Sequence, residues 1–386
     1  RYNLFKTEQA LLIGAKYYQS NNKERQGPGS TSADADFNFA DIAFPEYSRQ
    51  SDFTFPNLNV ALFAEHIFKL SQKLTVTPGV RVDFIKTQSQ GVYKNIIFDL
   101  AGNAILNQTI PDNRIFERSF VLLGVGASYK ASYATEIYTN LSQNYRSVTF
   151  SDIRITNPSL TIDPNITDEQ GYTFDLGARG KFKNFLRYDF GLFYLSYQDR
   201  LGVVVREVSD IQDERFRGNI GDAITYGFEG FVDWNVWETF SSNENFRLNT
   251  FLNLAFTESQ YIKSQENNVE GKQVEFIPRV NLKTGISFGY GDFLSSVQYT
   301  YLTKQFTDAT NSPRDFSSQS GVIGEIPSYD ILDFSLSYTY KRFKIESGIN
   351  NLLNTNYFTR RATGYPGPGI IPSQPRTFYG LLQFKL

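Results

Sequence analysis

The last quarter of the sequence carries a segment suited to holding an anion. Between Asn350 and Pro372 it places two adjacent guanidinium groups, Arg360 and Arg361, just before the run Gly364-Tyr365-Pro366-Gly367-Pro368-Gly369. An arginine fork can donate two parallel N–H bonds and so matches carboxylate geometry. Gly and Pro fix such a stretch in turns. Two arginines presented this way can grip an anionic ligand, or they can pair with loop acids or lipid headgroups.

Other chemistry is sparse. The chain has no Cys, which removes disulfides, thiolate metal sites and cysteine nucleophiles. It has one histidine, His66, on the same side of its segment as Leu62 and Ala64, where a structural or interfacial role is the simplest reading. Gly124-Val125-Gly126 begins like a dinucleotide loop, but it lies inside a strand pattern with no helix to follow. Two acidic groups, Asp34/Asp36/Asp41 and Asp163/Asp168/Glu169, offer oxygen ligands for Ca²⁺. Solvated loop charges explain them more simply. No catalytic constellation emerges, so the sequence does not read as an enzyme and calls for no cofactor. With 38 basic and 40 acidic side chains, the net charge of −2 leaves no electrostatic footprint for nucleic acid.

The elements that must position these groups are strands. Leu74, Val76, Pro78, Val80, Val82 and Phe84 alternate with Thr75, Thr77, Gly79, Arg81 and Asp83. Leu332, Phe334, Leu336, Tyr338 and Tyr340 alternate in the same way with polar residues. Successive strand side chains point to opposite faces, so each segment is a ribbon with one apolar and one polar side. About fifteen such strands are predicted by this alternation. They lie near 1–6, 8–19, 57–69, 74–87, 116–129, 134–146, 170–182, 185–206, 222–238, 245–262, 275–290, 292–307, 329–340, 342–350 and 376–386. Many exceed the roughly nine to eleven residues that a tilted strand needs to cross a bilayer.

Connections alternate between short and long. The long ones are 20–56, 88–115, 147–169, 207–221, 263–274, 308–328 and 351–375. Short periplasmic turns opposite long extracellular loops are the expected pattern of an outer-membrane barrel. The fold class predicted is therefore all-β, a transmembrane antiparallel β-barrel embedded in outer-membrane lipid. The longest uninterrupted apolar run, Ala10–Ala15, is far too short for a membrane helix. The 35 Phe and 24 Tyr suit a lipid-facing wall with aromatic girdles. An odd strand number, and a start without Met, lead to the expectation that 1–386 is the C-terminal portion of one barrel of about 22 strands.

The tail resembles the C-terminus of TonB-dependent receptors. A strand leads into Asn350-Asn351-Leu352, an aromatic segment through Tyr357-Phe358, the Arg360-Arg361 loop and a closing strand after Pro375-Arg376-Thr377-Phe378-Tyr379. Asn144-Tyr145-Arg146-Ser147-Val148-Thr149-Phe150-Ser151-Asp152, Asp168-Glu169-Gln170-Gly171-Tyr172 and Phe193-Tyr194-Leu195-Ser196-Tyr197-Gln198-Asp199-Arg200 add to the likeness. It covers 135–386 well and 1–134 more loosely. Within the family it looks most like the ferric-citrate-transporter-like branch found in Bacteroidetes. The family's plug domain and TonB-binding segment are not in this sequence, and the chain ends in Leu386 where many such barrels end in an aromatic residue.

The resemblance implies a nutrient importer for an anionic ferric chelate, ferric citrate or a siderophore, powered by the TonB complex through the region not in this sequence. The residues it selects for the chelate are Arg146, Arg360 and Arg361, with Arg25 and Gln26 as further candidates. Arg81, Asp83, Arg247, Lys283 and Lys304 would line the path. The alternative is a non-transporting barrel that docks other outer-membrane proteins in a larger complex.

Overall fold

The computed structural model describes residues 2–4, 7–29, 38–47, 50–99, 101–153, 160–209, 212–241, 243, 245–313, 324–362 and 369–385. Its strands are β1 (Tyr2–Leu4), β2 (Thr7–Gln26), β3 (Ser51–Lys69), β4 (Leu74–Phe98), β5 (Ala104–Lys130), β6 (Thr135–Arg146), β7 (Leu160–Ile162), β8 (Glu169–Phe182), β9 (Leu186–Ser209) and β10 (Gln212–Asn235). They continue with β11 (Phe246–Lys263), β12 (Val280–Tyr290), β13 (Phe293–Leu302), β14 (Tyr329–Tyr340), β15 (Phe343–Asn350), β16 (Phe358–Ala362), β17 (Gly369–Pro372) and β18 (Thr377–Phe384). Two short helices, α1 (Phe150–Ile153) and α2 (Val236–Phe240), complete the elements.

Fifteen of these strands form one antiparallel path from β1 to β18. Each pairs with its neighbour in sequence except where the path skips β7, β16 and β17. β7 adds in parallel to the outer part of β10, and β16–β17 is a separate hairpin. Among the described residues no pairing joins β1 to β18, so the sheet is an open, curved wall.

Register decides what each face of the wall meets. Ala15, Leu62, Val82 and Val121 stand opposite one another across β2–β5. Leu176, Leu192, Phe228, Phe256 and Val280 form the equivalent row across β8–β12. Leu62 is 56% exposed and Leu192 54%. A continuous apolar belt of this kind would be a large unfavourable patch in water and is at home in hydrocarbon. The opposite face carries Arg81, Asp83, Asn140, Asp175 and the row Asn253–Lys283–Thr300. Along these rows one side of the wall is greasy and the other wet. His66 lies in the outer row, its Nε2 bonded to the Tyr2 hydroxyl and its ring against Phe68.

Two of the expected loops are strand. Residues 88–98 and 104–115 extend β4 and β5 to 25 and 27 residues, paired without a break from Leu74↔Tyr129 to Ile97↔Leu106. Residues 207–221, apart from 210–211, extend β9 and β10 to 24 each. Apolar alternation fades there because both faces leave the membrane. Backbone pairing needs only a neighbouring strand, and so it continues where the alternation stops. At about 3.3 Å per residue, β4 is about 80 Å long. The pairing of β4 with β3 requires Gly91: a Cβ there would stand 2.2 Å from the Asp52 carbonyl oxygen.

Above Gly124 the two strands flanking β5 differ. β5 pairs with β6 only over Gly124–Lys130, so its edge along 104–123 carries no partner strand among the described residues. Pro111 sits on that stretch opposite Val92. Proline has no N–H and fits a ladder only where that position faces away from the paired neighbour.

Buried apolar residues gather into two clusters where the outer parts of the strands meet the connections. One cluster joins Val148, Ile153, Ile162, Ile166 and Leu201, with Phe116 against it. The other joins Val204, Phe216, Ile220, Ala223, Tyr261, Val269, Val274 and Ala309.

Candidate functional site

The connection from β6 to β8 folds inward because its apolar residues have the inner faces of β5 and β9 to pack against. Val148, Ile153, Ile162 and Ile166 are all buried, each worth about 1.5–3 kcal/mol relative to exposure. Phe150 of α1 reaches Phe55 of β3, with ring centroids 5.4 Å apart.

A polar staple holds the same segment. Arg118 Nε donates to Asp168 Oδ2 and Oδ1 at 2.7 and 3.0 Å, Nη1 to Thr87 Oγ1 at 3.0 Å, and Nη2 to the Val148 carbonyl at 2.9 Å. Asp168 also accepts the Val148 N–H at 2.7 Å and the Tyr145 hydroxyl. The Tyr145 ring stacks on Phe120. Both charges are nearly buried, 10% and 12% exposed, and each has its partners in place.

Arg146 is similarly committed. Its Nη1 donates to Glu169 Oε1 at 3.0 Å and its Nη2 to Asp152 Oδ1 at 2.8 Å. Glu169 accepts the Leu201 N–H as well, and Asp152 accepts from Thr149. Two buried carboxylates thus neutralise one guanidinium, so Arg146 holds the fold of the loop rather than standing free for a ligand. This also corrects the reading of Asp168 and Glu169 as solvated or calcium-binding acids, since both are buried against arginines. Asp163 accepts the Asn165 N–H within its own turn. No group of three or more metal-binding side chains occurs among the described residues, and Asp34 and Asp36 lie outside them.

On the next arc, Tyr261 donates to Glu275 Oε2 at 2.7 Å, and Arg200 lies 3.5 Å from Glu275 Oε1. Burial, then the Glu275 charge, raises the Tyr261 phenol well above its ordinary pKa. Sequence reasoning missed Arg118, Arg200, Tyr261 and Glu275 as loop-holding groups. Their partners lie far along the chain, and only the fold brings them together.

Arg25 bonds Asp41 through Nη2, approaches Asp52 at 4.0 Å and lies over the Phe39 ring at 4.7 Å. Gln26 forms the last pair of the β2–β3 ladder, opposite Ser51. Arg361 donates Nε and Nη2 to the Glu325 carbonyl at 3.1 and 2.8 Å and covers Phe358. Arg360 is exposed on β16 and makes no hydrogen bond or ion pair among the described residues. The five residues therefore sit on three separate excursions of the chain, with no contact joining the three. Of their four guanidinium groups, Arg360 alone is uncommitted among the described residues.

An open antiparallel wall, greasy outside and polar inside, with packed polar-stapled connections at one end and tight turns at the other, is the architecture of a membrane β-barrel receptor. The chain belongs to the TonB dependent receptor-like β-barrel family, whose pattern matches residues 1–352. That membership places it in the bacterial outer membrane. No curated protein sequence matches it.

Solved structures share the fold. The unliganded ferric citrate transporter FecA superposes with a TM-score of 0.70 at 18% identity, covering 97% of this chain and 51% of that one. The ferric yersiniabactin uptake receptor FyuA from Yersinia pestis gives 0.64 at 18% identity, covering 86% and 46%. The copper transporter OprC gives 0.66 at 15% identity, covering 98% and 56%. The chain spans about half the length of these structures. The family and these structural neighbours are receptors and transporters.

Proposed function

We propose that this chain is the C-terminal portion of the wall of a TonB-dependent importer. Its cargo is a scarce nutrient in the form of an anionic ferric chelate, of the ferric citrate or siderophore type. The observation that carries the reading is Arg360, an exposed guanidinium with no counter-charge among the described residues, on a hairpin fixed by Arg361, Phe358 and the Tyr329–Tyr357 stack. Such a group attracts a carboxylate-bearing complex and can bind it bidentately. On the polar face Arg81 and Asp83 form an ion pair, and Lys283 stands between Asn253 and Thr300, giving the lumen a polar lining. Energy would enter through the TonB complex, and the ferric-citrate-like branch of Bacteroidetes is the assignment that the tail resembles. The fold likeness to receptors for ferric citrate and ferric yersiniabactin supports this choice of cargo.

Titration of the full-length receptor with ferric citrate, ferric siderophores and oligosaccharides tests it. Saturable binding of one iron chelate is expected, and no binding of any would overturn the reading. A second reading, a docking barrel for other outer-membrane proteins, is favoured by the tip of the β4–β5 hairpin, where Ile97 is 48% and Ile105 67% exposed. A stoichiometric partner that co-purifies and is lost when both are changed to Ser would support that one.

A further inference from the structure

The short-turn end of the wall holds a second cluster of cations, distinct from the outer connections. β5, β6 and β8 place Lys130, Glu136 and Arg179 directly opposite one another. The backbone bond from Lys130 N–H to the Lys73 carbonyl, 2.8 Å, ties in the neighbouring turn. Together with Gln72 and Tyr133 these residues line a cavity of about 550 Å³, within the size range of small-ligand sites.

The register shows which way this cluster faces. Lys130, Glu136 and Arg179 stand in the same alternate positions as Gly126, Asn140 and Asp175, on the polar lumen side. The rows between them, Tyr129 and Ile137, are 44% and 42% exposed on the lipid side. The charged groups of the cavity therefore lie on the lumen side of the wall, at its short-turn end.

Its charge is unbalanced. Glu136 accepts one bond from Arg179 Nε at 3.1 Å, and Arg179 Nη2 lies 3.1 Å from the same oxygen. The Arg179 guanidinium is also held over the Tyr138 ring at 5.2 Å. Lys73 and Lys130 form no ion pair within 4 Å among the described residues. Lys73, Lys130 and Arg179 face Glu136, and Asp189 stands opposite Arg179 on β9, so the cations exceed the carboxylates by one around a small cavity. Low-dielectric walls lined by one sign of charge concentrate counter-ions.

We propose that this cavity is an exit site for a small polycarboxylate anion, held by Lys73, Lys130 and Arg179 as it leaves the lumen. The inference rests on the anionic cargo proposed above. Multiple carboxylates match two ammonium groups and the remaining edge of a fixed guanidinium. A single phosphate would leave part of that set unused.

The experiment is calorimetric titration of the full-length receptor with iron-free citrate. It compares the native protein, the double variant Lys130→Gln/Arg179→Gln, the single variant Lys73→Gln, and Lys341→Gln at a different short turn. Heat-modifiable migration on gels confirms that each barrel is folded. Lys73→Gln leaves the Glu136–Arg179 pair intact, so it reports on the site even if the double variant fails to assemble. Citrate affinity is expected to fall about tenfold or more in Lys73→Gln and in the double variant, as for loss of charge-assisted bonds, and to stay unchanged in Lys341→Gln. Unchanged affinity in Lys73→Gln overturns the site. Equal binding of inorganic phosphate, or displacement of citrate by phosphatidylglycerol vesicles or an acidic peptide, overturns the polycarboxylate assignment. The two readings fail separately: absence of ferric-chelate binding overturns the cargo, whereas citrate binding indifferent to these cations overturns the exit site.

Discussion

Arg118 on β5 and Asp168 ahead of β8 are fifty residues apart in sequence, yet they form a nearly buried ion pair closed at 2.7 Å. Thr87, Tyr145 and Val148 satisfy their remaining bonds. Removing one member strands the other charge, which typically costs about 3–5 kcal/mol. Arg118→Ala is therefore expected to release the connection between β6 and β8, making it several-fold more sensitive to protease in intact cells. The wall itself should still fold. Cleavage at the native rate would show that the apolar cluster around Ile153 and Ile166 suffices.

Arg360 and Arg361 are neighbours with different work. Arg361 is bonded to the Glu325 carbonyl, while Arg360 is exposed and has no partner among the described residues. Arg360→Gln should weaken binding of the anionic chelate about tenfold, the scale of one charge-assisted interaction, with no change in barrel stability. Arg361→Gln should instead loosen the β16–β17 hairpin, seen as faster hydrogen exchange there. Equal affinities for native and Arg360→Gln receptor would count against the anion reading of this hairpin.

Gly91 has no room for a side chain, with the Asp52 carbonyl oxygen at 2.2 Å and Phe53 Cδ1 at 2.6 Å from a Cβ. Backbone has to move to admit one. Gly91→Ala should cost about 1–3 kcal/mol, as overpacking does, and lower the yield of folded barrel recovered in vesicles. Gly102, in open space at φ +85°, should respond through backbone strain alone.

The tip of the β4–β5 hairpin is closed by Asp99. Its carboxylate accepts the Asn103 side-chain amide at 3.0 Å and the N–H groups of Asn103 and Ala101 at 2.8 and 2.9 Å. These bonds, the Asn103 side chain foremost, hold its pKa below the usual 3.8. A lowered folded-state pKa gives a contribution that is complete above the unfolded value and disappears as pH falls through the folded one. Tip order, followed by hydrogen exchange corrected for intrinsic rates, should be constant from pH 5 to 8 and decline only below about pH 4. In Asp99→Asn that acid-side decline should be absent.

The wall was legible in the sequence because lipid enforces it. Rows such as Leu74–Phe84 must alternate where one face meets hydrocarbon and the other water, and each of the fifteen expected strands has a counterpart in the sheet. Beyond the bilayer that pressure ends. β4–β5 and β9–β10 continue as polar ladders, which period-two hydrophobicity cannot register. The arginines were visible as chemistry but not as partners. Arg146 belongs to Asp152 and Glu169, and Arg25 to Asp41 and Phe39, through contacts that only the folded connections create. Arg360 is the candidate that nothing else among the described residues reaches, and its hold on an anion is the proposal that the binding experiment tests.

Pro111 gives the tall hairpin a social property. Receptors stand beside copies of themselves in a crowded membrane, and an unpaired edge rising far above the bilayer invites one hairpin to zip onto the next. With no N–H at Pro111, the β5 edge is interrupted within its free length, which weakens it as a template for a partner strand. The break disfavours the fusion of adjacent copies into a shared sheet along this edge.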